Sequence, residues 1–168
     1  MSLCQRAIHL LLLTCLWAMT ACALGDPSTG PLGVYLQSPQ GSAEWKNTEQ
    51  HLAQAADAAA TEYRRAKTLD ALAAYETAVR ACLDHGFLLY RVLDASSSEF
   101  PKGFRRSLED RASELMDIAD EYLKLGASDI IAVGIARDVI HKYNVERMDR
   151  AQRRAEGILM QYRYQRNY

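Results

Sequence analysis

The sequence predicts an all-α protein, an antiparallel bundle of about four to five helices behind a Pro/Gly-rich tether. Three observations lead there. Helix breakers are scarce and uneven: nine Gly and four Pro occur in 168 residues, with Pro27, Pro31 and Pro39 near the start and only Pro101 further in. From Glu44 onward apolar residues recur at helical spacing instead of alternating as in a half-buried strand. The link from Gly126 to Ser128 is short, and a short link returns the next helix antiparallel to the last.

The elements follow in order. Residues 23–43 hold three Pro and four Gly without a sustained period, and read as a tether in which Val34-Tyr35-Leu36 is the one candidate docking segment. Trp45, Leu52, Ala55, Ala59, Tyr63 and Ala66 fall on one helical stripe. Leu69, Leu72, Val79, Cys82, Leu83, Phe87, Tyr90 and Leu93 make a second, stronger one. No Gly or Pro lies between Gly41 and Gly86, so residues 44–94 form either one rod or two helices. Thr68, a good N-cap before Leu69, favours a break at Lys67 and Thr68. His85 beside Gly86 reads as a polar residue at a helix irregularity. The stretch 94–103, rich in Ser with Pro101 and Gly103, is a loop.

A third helix is expected from Phe104 to Leu125, with Leu108, Ala112, Leu115, Ala119 and Tyr122 as its core seam. Ser107 and Asp110 have capping-box spacing near its start, and Gly126 stops it. The fourth, Asp129 to Tyr143, is apolar nearly all round through Ile130, Ile131, Val133, Ile135, Val139 and Ile140, which predicts a central place in the bundle. Asn144 punctuates before a last helix whose apolar face is Val145, Met148, Ala151, Ala155, Ile158, Leu159 and Tyr162. Glu146 with Arg150, and Asp149 with Arg153, are spaced as acid-to-base pairs on its exposed side.

The first residues have a different logic. Arg6 is followed by an apolar run, AIHLLLLTCLWAM over 7–19, and then by the small residues Thr20 and Ala21, a signal-peptide layout. Met19-Thr20-Ala21-Cys22 resembles the lipobox of bacterial lipoproteins, with Met19 standing where that pattern prefers Leu. The resemblance covers only about the first 25 residues. It implies cleavage after Ala21, a diacylglyceryl group on Cys22, and acylation of the new N-terminus. Cys15 is a poorer match, because Thr14 precedes it. Ala23 stands where an Asp would favour inner-membrane retention, which implies the outer membrane. The resulting organisation is a signal peptide at 1–21, a lipidated tether at 22–43 and a helical domain at 44–168.

With Cys4 and Cys15 removed and Cys22 lipidated, only Cys82 remains, so no intramolecular disulfide is expected in the mature chain. The 147 residues left after residue 21 are enough to bury a core without one.

Chemistry is sparse. His51, His85 and His141 lie on three different expected helices, and none has a second His or Cys three or four residues away. Asp138 and His141 share a helix face, but a lone Asp-His pair is a poor metal site. Cys82 on an apolar stripe reads as a small buried hydrophobe. Glu109, Asp110, Glu114, Asp117, Asp120 and Glu121 read as a solvated face, and Ser96 to Ser98 as a loop run. No Gly-x-Ser-x-Gly elbow, phosphate loop or dinucleotide fingerprint occurs. Neither a cofactor nor a metal is expected. A net charge of -1 gives no general attraction to nucleic acid.

One asymmetry stands out. From Lys142 onward seven bases face three acids, whereas residues 22–141 carry 12 bases and 18 acids. The chain ends Tyr162-Arg163-Tyr164-Gln165-Arg166-Asn167-Tyr168, and Arg and Tyr are enriched at protein interfaces. Arg163, Tyr164, Arg166 and Tyr168 are therefore the candidate partner-binding residues. The functional expectation is a non-enzymatic, outer-membrane lipoprotein with its domain in the periplasm, binding an envelope protein of a secretion, conjugation or pilus machine. Pilotins, helical lipoproteins that escort a secretin, offer an analogy of fold. The alternative from another class is a peptidoglycan-acting enzyme or its regulator, which would need two convergent carboxylates.

Overall fold

The computed structural model describes residues 34–36, 38–92, 104–143 and 149–166. Among them are five helices and a helical turn at 34–36, and no strand: α1 (Pro39–Ala66), α2 (Leu69–Val92), α3 (Phe104–Lys124), α4 (Asp129–His141) and α5 (Asp149–Arg166). The protein is an all-α bundle. The expected loop at 94–103, and the positions of Cys22, Leu93, Val145 and Met148, lie outside the described residues.

α1 begins at Pro39, earlier than the Glu44 expected from periodicity. Ser38 is its N-cap, with Oγ accepting from the Gly41 N–H at 3.0 Å, and Pro39 fits the first turn because its missing N–H has no helical partner there. Residues 34–36 fold back on this start. The Tyr35 carbonyl accepts from the Ser38 N–H at 3.0 Å and from Ser38 Oγ at 2.6 Å, and the Tyr35 hydroxyl donates to Glu44. A Cβ on Gly41 would sit 2.0 Å from the Tyr35 carbonyl oxygen, so this turn needs a glycine there. Leu36 is buried in the core, so this part of the expected tether is packed onto the bundle.

The α1 stripe is displaced from the one expected. Trp45, Ala56, Ala60 and Tyr63 are buried, while Ala55 is exposed. The break between α1 and α2 falls where Thr68 suggested. Lys67 closes α1 in the left-handed conformation (φ 50°), its N–H donating to the Tyr63 carbonyl at 2.8 Å, and Thr68 Oγ1 accepts from the Ala71 N–H at 3.3 Å. α2 buries Leu72, Val79, Leu83, Phe87 and Leu89, whereas Leu69 at its start is exposed. It runs through Gly86 without interruption, so no helix irregularity marks His85.

α3 carries its expected seam: Leu108, Ala112, Leu115, Ala119 and Tyr122 are all buried. Ser107 sits inside the helix instead of capping it, because α3 already starts at Phe104. The end is a Schellman turn. Gly126 has φ +72°, the Ala127 N–H reaches the Tyr122 carbonyl at 3.0 Å, and the Gly126 N–H reaches Leu123 at 3.1 Å. Ser128 then caps α4.

α3, and not α4, is the central helix. It packs against α2 on one side and against α4 and α5 on the other. α4 buries Val133, Ile135 and Val139 but leaves Ile130 69% and Ile131 40% exposed. Cross-helix contacts set the directions. Asp57 to Arg111 and Tyr63 to Glu121 make α1 and α3 parallel, and Arg80 to Asp138 and Asp84 to Lys142 do the same for α2 and α4. Arg150 to Asp110 and Arg154 to Asp120 make α5 parallel to α3. The bundle therefore runs up and down in chain order. One end gathers the starts of α1, α3 and α5 (the entry end), and the other the starts of α2 and α4 (the far end).

Candidate functional site

The acidic residues of α3 are paired as well as solvated: Asp110 and Asp117 keep more than half of their side chains in water, yet each of the six has a partner. Glu109 accepts from the Arg150 backbone N–H at 3.1 Å, and Asp110 pairs with the Arg150 guanidinium at 2.7 Å. Asp117 and Asp120 each lie 2.7 Å from Arg154, whose Nη1 also donates to the Ser113 carbonyl. Glu114 holds Arg111 at 2.7 Å and accepts from Tyr75, and Glu121 accepts from Tyr63 at 2.5 Å and pairs with Lys124 at 2.7 Å. All six acids thus hold neighbouring helices or their own. The expected pairing within α5 is replaced as well: Arg153 Nε donates to the Asp149 carbonyl oxygen at 3.0 Å, and Glu146 lies outside the described residues.

Tyrosines supply the donors on the other side. Besides Tyr63 and Tyr75, Tyr122 donates to Glu76 at 2.9 Å and Tyr143 to Asp84 at 2.8 Å. Burial, together with the carboxylate acceptor, pushes Tyr63 up to about 12 and raises Tyr75, Tyr122 and Tyr143 as well. Glu76 passes the contact on to Arg80 (2.7 Å), which reaches Asp138 on α4 at 2.6 Å. Burial of Arg80 opposes its charge, but the two carboxylates outweigh it and hold the guanidinium protonated. Asp138 is thereby committed to Arg80, and His141 is exposed.

The remaining sequence candidates are dispersed. His51 is exposed on α1. His85 stacks on Trp45 with ring centroids 3.6 Å apart, and burial lowers its pKa. Cys82 is a half-buried free thiol whose pKa burial raises. Among the described residues no group of three or more His, Cys, Asp or Glu could hold a metal ion, and no helix is long and apolar enough to cross a membrane. Arg163, Tyr164 and Arg166 continue the α5 backbone, and Tyr168, like Cys22 and Ser96 to Ser98, lies outside the described residues.

Two features remain that could meet another molecule. At the entry end, Asp84, Phe87 and Leu88 of α2 and Lys142 and Tyr143 after α4 line a half-open cavity of about 230 Å³. Asp84 Oδ1 takes the Tyr143 hydroxyl at 2.8 Å and Lys142 Nζ at 2.7 Å. Sequence reasoning missed this grouping, which joins residues almost sixty positions apart and has no local signature.

At the far end lie exposed apolar side chains: Leu69 opening α2, Leu125 closing α3, Ile130 and Ile131 in the first turn of α4, and Met160 on the later half of α5. The exposed Ile130 and Ile131 were legible in sequence only as part of a helix apolar all round.

No family model matches the chain, and no curated protein or solved structure is similar to it. Fold and geometry define the class: an all-α bundle held by a carboxylate network.

Proposed function

We propose that the protein is an outer-membrane-anchored helical lipoprotein that binds or positions a protein of a cell-envelope complex of the secretion, conjugation or pilus type, without catalysing a reaction. Cys22 carries the lipid, and the domain faces the periplasm. The observation that carries the binding half of this reading is where the exposed apolar side chains lie. Of seven large exposed apolar residues among those described, five (Leu69, Leu125, Ile130, Ile131 and Met160) belong to the far end. An apolar group at one end marks an interaction surface more than single scattered residues do.

Its occupant is an apolar face of a protein, and not the bilayer that holds the lipid. The chain enters at the opposite end, where Leu36 docks, and α1 with its 28 residues spans about 42 Å at 1.5 Å per residue. An anchor leading into residue 34 would join the bundle at the end opposite the apolar one. α5 carries Arg163, Tyr164 and Arg166 toward the apolar end, where forked donors and aromatic rings would complement an apolar centre.

A photoreactive residue at Ile130 or Met160 tests the proposal in intact cells. The expected result is a discrete crosslink to one envelope protein from either position, none from the exposed Gln50 on α1, and loss of the crosslink when Arg163 to Tyr168 are deleted. Crosslinks to lipid or to a second copy of the chain, or equal crosslinking from Gln50, would overturn the proposal. The anchor is tested separately: Cys22→Ser should release the protein from membranes, and membrane retention at wild-type levels counts against lipidation.

A further inference from the structure

We infer that the cavity at the entry end is a binding site for an unbranched aliphatic ammonium, such as the end of a lysine side chain or a free alkylamine, and that Lys142 is its built-in competitor. The inference does not depend on the proposed anchor or partner.

The site is built from fixed parts. Tyr143 is fully buried, its ring lies 5.3 Å from Phe87 at 56°, and its backbone N–H is held by the Asp138 carbonyl at 2.9 Å. Its hydroxyl donates to Asp84 Oδ1 and so orients that carboxylate. Phe87 and Leu88 supply an apolar wall.

The cation position is already shown by the chain itself. Lys142 Nζ stands 2.7 Å from Asp84 Oδ1 and 5.0 Å from the centre of the Tyr143 ring. A carboxylate on one side and an aromatic face on the other are the two elements of ammonium recognition, and the apolar wall suits the methylene stem of such a group.

Lys142 is well placed to give way. Its side chain is about half exposed, as is that of Asp84, and an ion pair exposed to that degree contributes little. A swing of the lysine stem into water vacates the position at little cost. The cavity of about 230 Å³, already present beside Lys142, leaves room for a short alkyl chain. An incoming amine replaces one ammonium by another, so the charge balance around Asp84 is unchanged.

The test is a titration of the full chain with N-α-acetyl-lysine methylamide and with n-pentylamine, followed by NMR shifts of the Leu88 and Tyr143 amides. Wild-type protein should bind weakly. Lys142→Ala, which removes the competitor, should bind about three- to tenfold more tightly, a gain that a merely structural Lys142 would not produce. Asp84→Asn should lose binding while keeping the wild-type melting temperature. Preference for the lysine derivative assigns the ligand to a peptide, and equal binding of pentylamine assigns it to a free amine; both support an ammonium site. No saturable shift in Lys142→Ala, or undiminished binding in Asp84→Asn, would overturn the inference.

Discussion

The two sides of α3 are held by different chemistry. Toward α1 and α2 it meets large apolar side chains, Leu72, Val79, Leu83 and Phe87 among them, and tyrosines whose hydroxyls donate to carboxylates on the facing helix. Toward α5 it meets alanines, Ala151 and Ala155, which are fully buried, and the guanidinium groups of Arg150 and Arg154, which stay in contact with water. Small side chains let helix backbones approach but bury little apolar area, and exposed ion pairs add little. The α1–α2 side should therefore carry most of the stability, and α5 should be the element that opens first.

The largest expected effect tests whether the two sides form one cooperative unit. Ile135 is almost fully buried on α4, and Ile135→Asp places an unpaired charge there, which costs several kcal/mol. Since α3 serves both sides, the whole helical signal should be lost in circular dichroism. A two-step melt that keeps α1 and α2 helical would show the sides to be separable.

Next in size is a core truncation on the strong side. Leu83 is fully buried on α2, and Leu83→Ala should cost about 2–5 kcal/mol in a denaturant melt. Truncation of the partly buried Leu159 to Ala on α5 should cost clearly less. Equal losses would remove the contrast.

A smaller effect separates the two sides by pH. Tyr63 is pushed up to about 12 by burial and by its hydrogen bond to Glu121, against about 10 in an unfolded chain. A raised folded pKa gives stability that is complete below pH 10 and is lost as the pH climbs through 12. The loss is on the order of 1 kcal/mol, discounted because Glu121 keeps some contact with water. Tyr63→Phe should flatten the dependence between pH 10 and 12, as read from urea midpoints. An unchanged slope would mean that the Tyr63 bond contributes nothing.

What could be read from the sequence was local. Gly126 and Thr68 act through hydrogen bonds a few residues long, and the α3 seam repeats without a competing stripe, so both were legible. The displaced stripe of α1 was not, because Ala55, Ala56, Ala58, Ala59 and Ala60 look alike on every face. The Ser38-Pro39 start carried a usable N-cap and first-turn signal, hidden by the Gly and Pro around it. The place of α4 was misjudged because uniform apolarity says that a helix can be buried, not that it is. The links of the carboxylate network between elements were illegible for a different reason: those partners lie 34 to 59 positions apart, where i to i+4 reasoning has no reach.

The smallest effect bears most directly on that network. Arg154 spans from α5 to Asp117 and Asp120 at 2.7 Å each and donates to the Ser113 carbonyl at 3.3 Å, with a third of its side chain exposed. Burial alone would favour losing its proton, but the two carboxylates outweigh that and keep it charged. Exposed pairs of this kind are worth up to about 1 kcal/mol, and salt weakens them over a Debye length near 10 Å at 0.1 M. Arg154→Ala should therefore lower global stability by no more than about 1 kcal/mol, and the loss should shrink at 1 M salt. Its effect should be concentrated on α5. Hydrogen exchange of the amides of 155–162 should accelerate severalfold, while those of α2 stay as they were. Acceleration of both helices together would mean that α5 does not open independently. No change at all would make Arg154 a solvated side chain, with α5 held by its apolar packing.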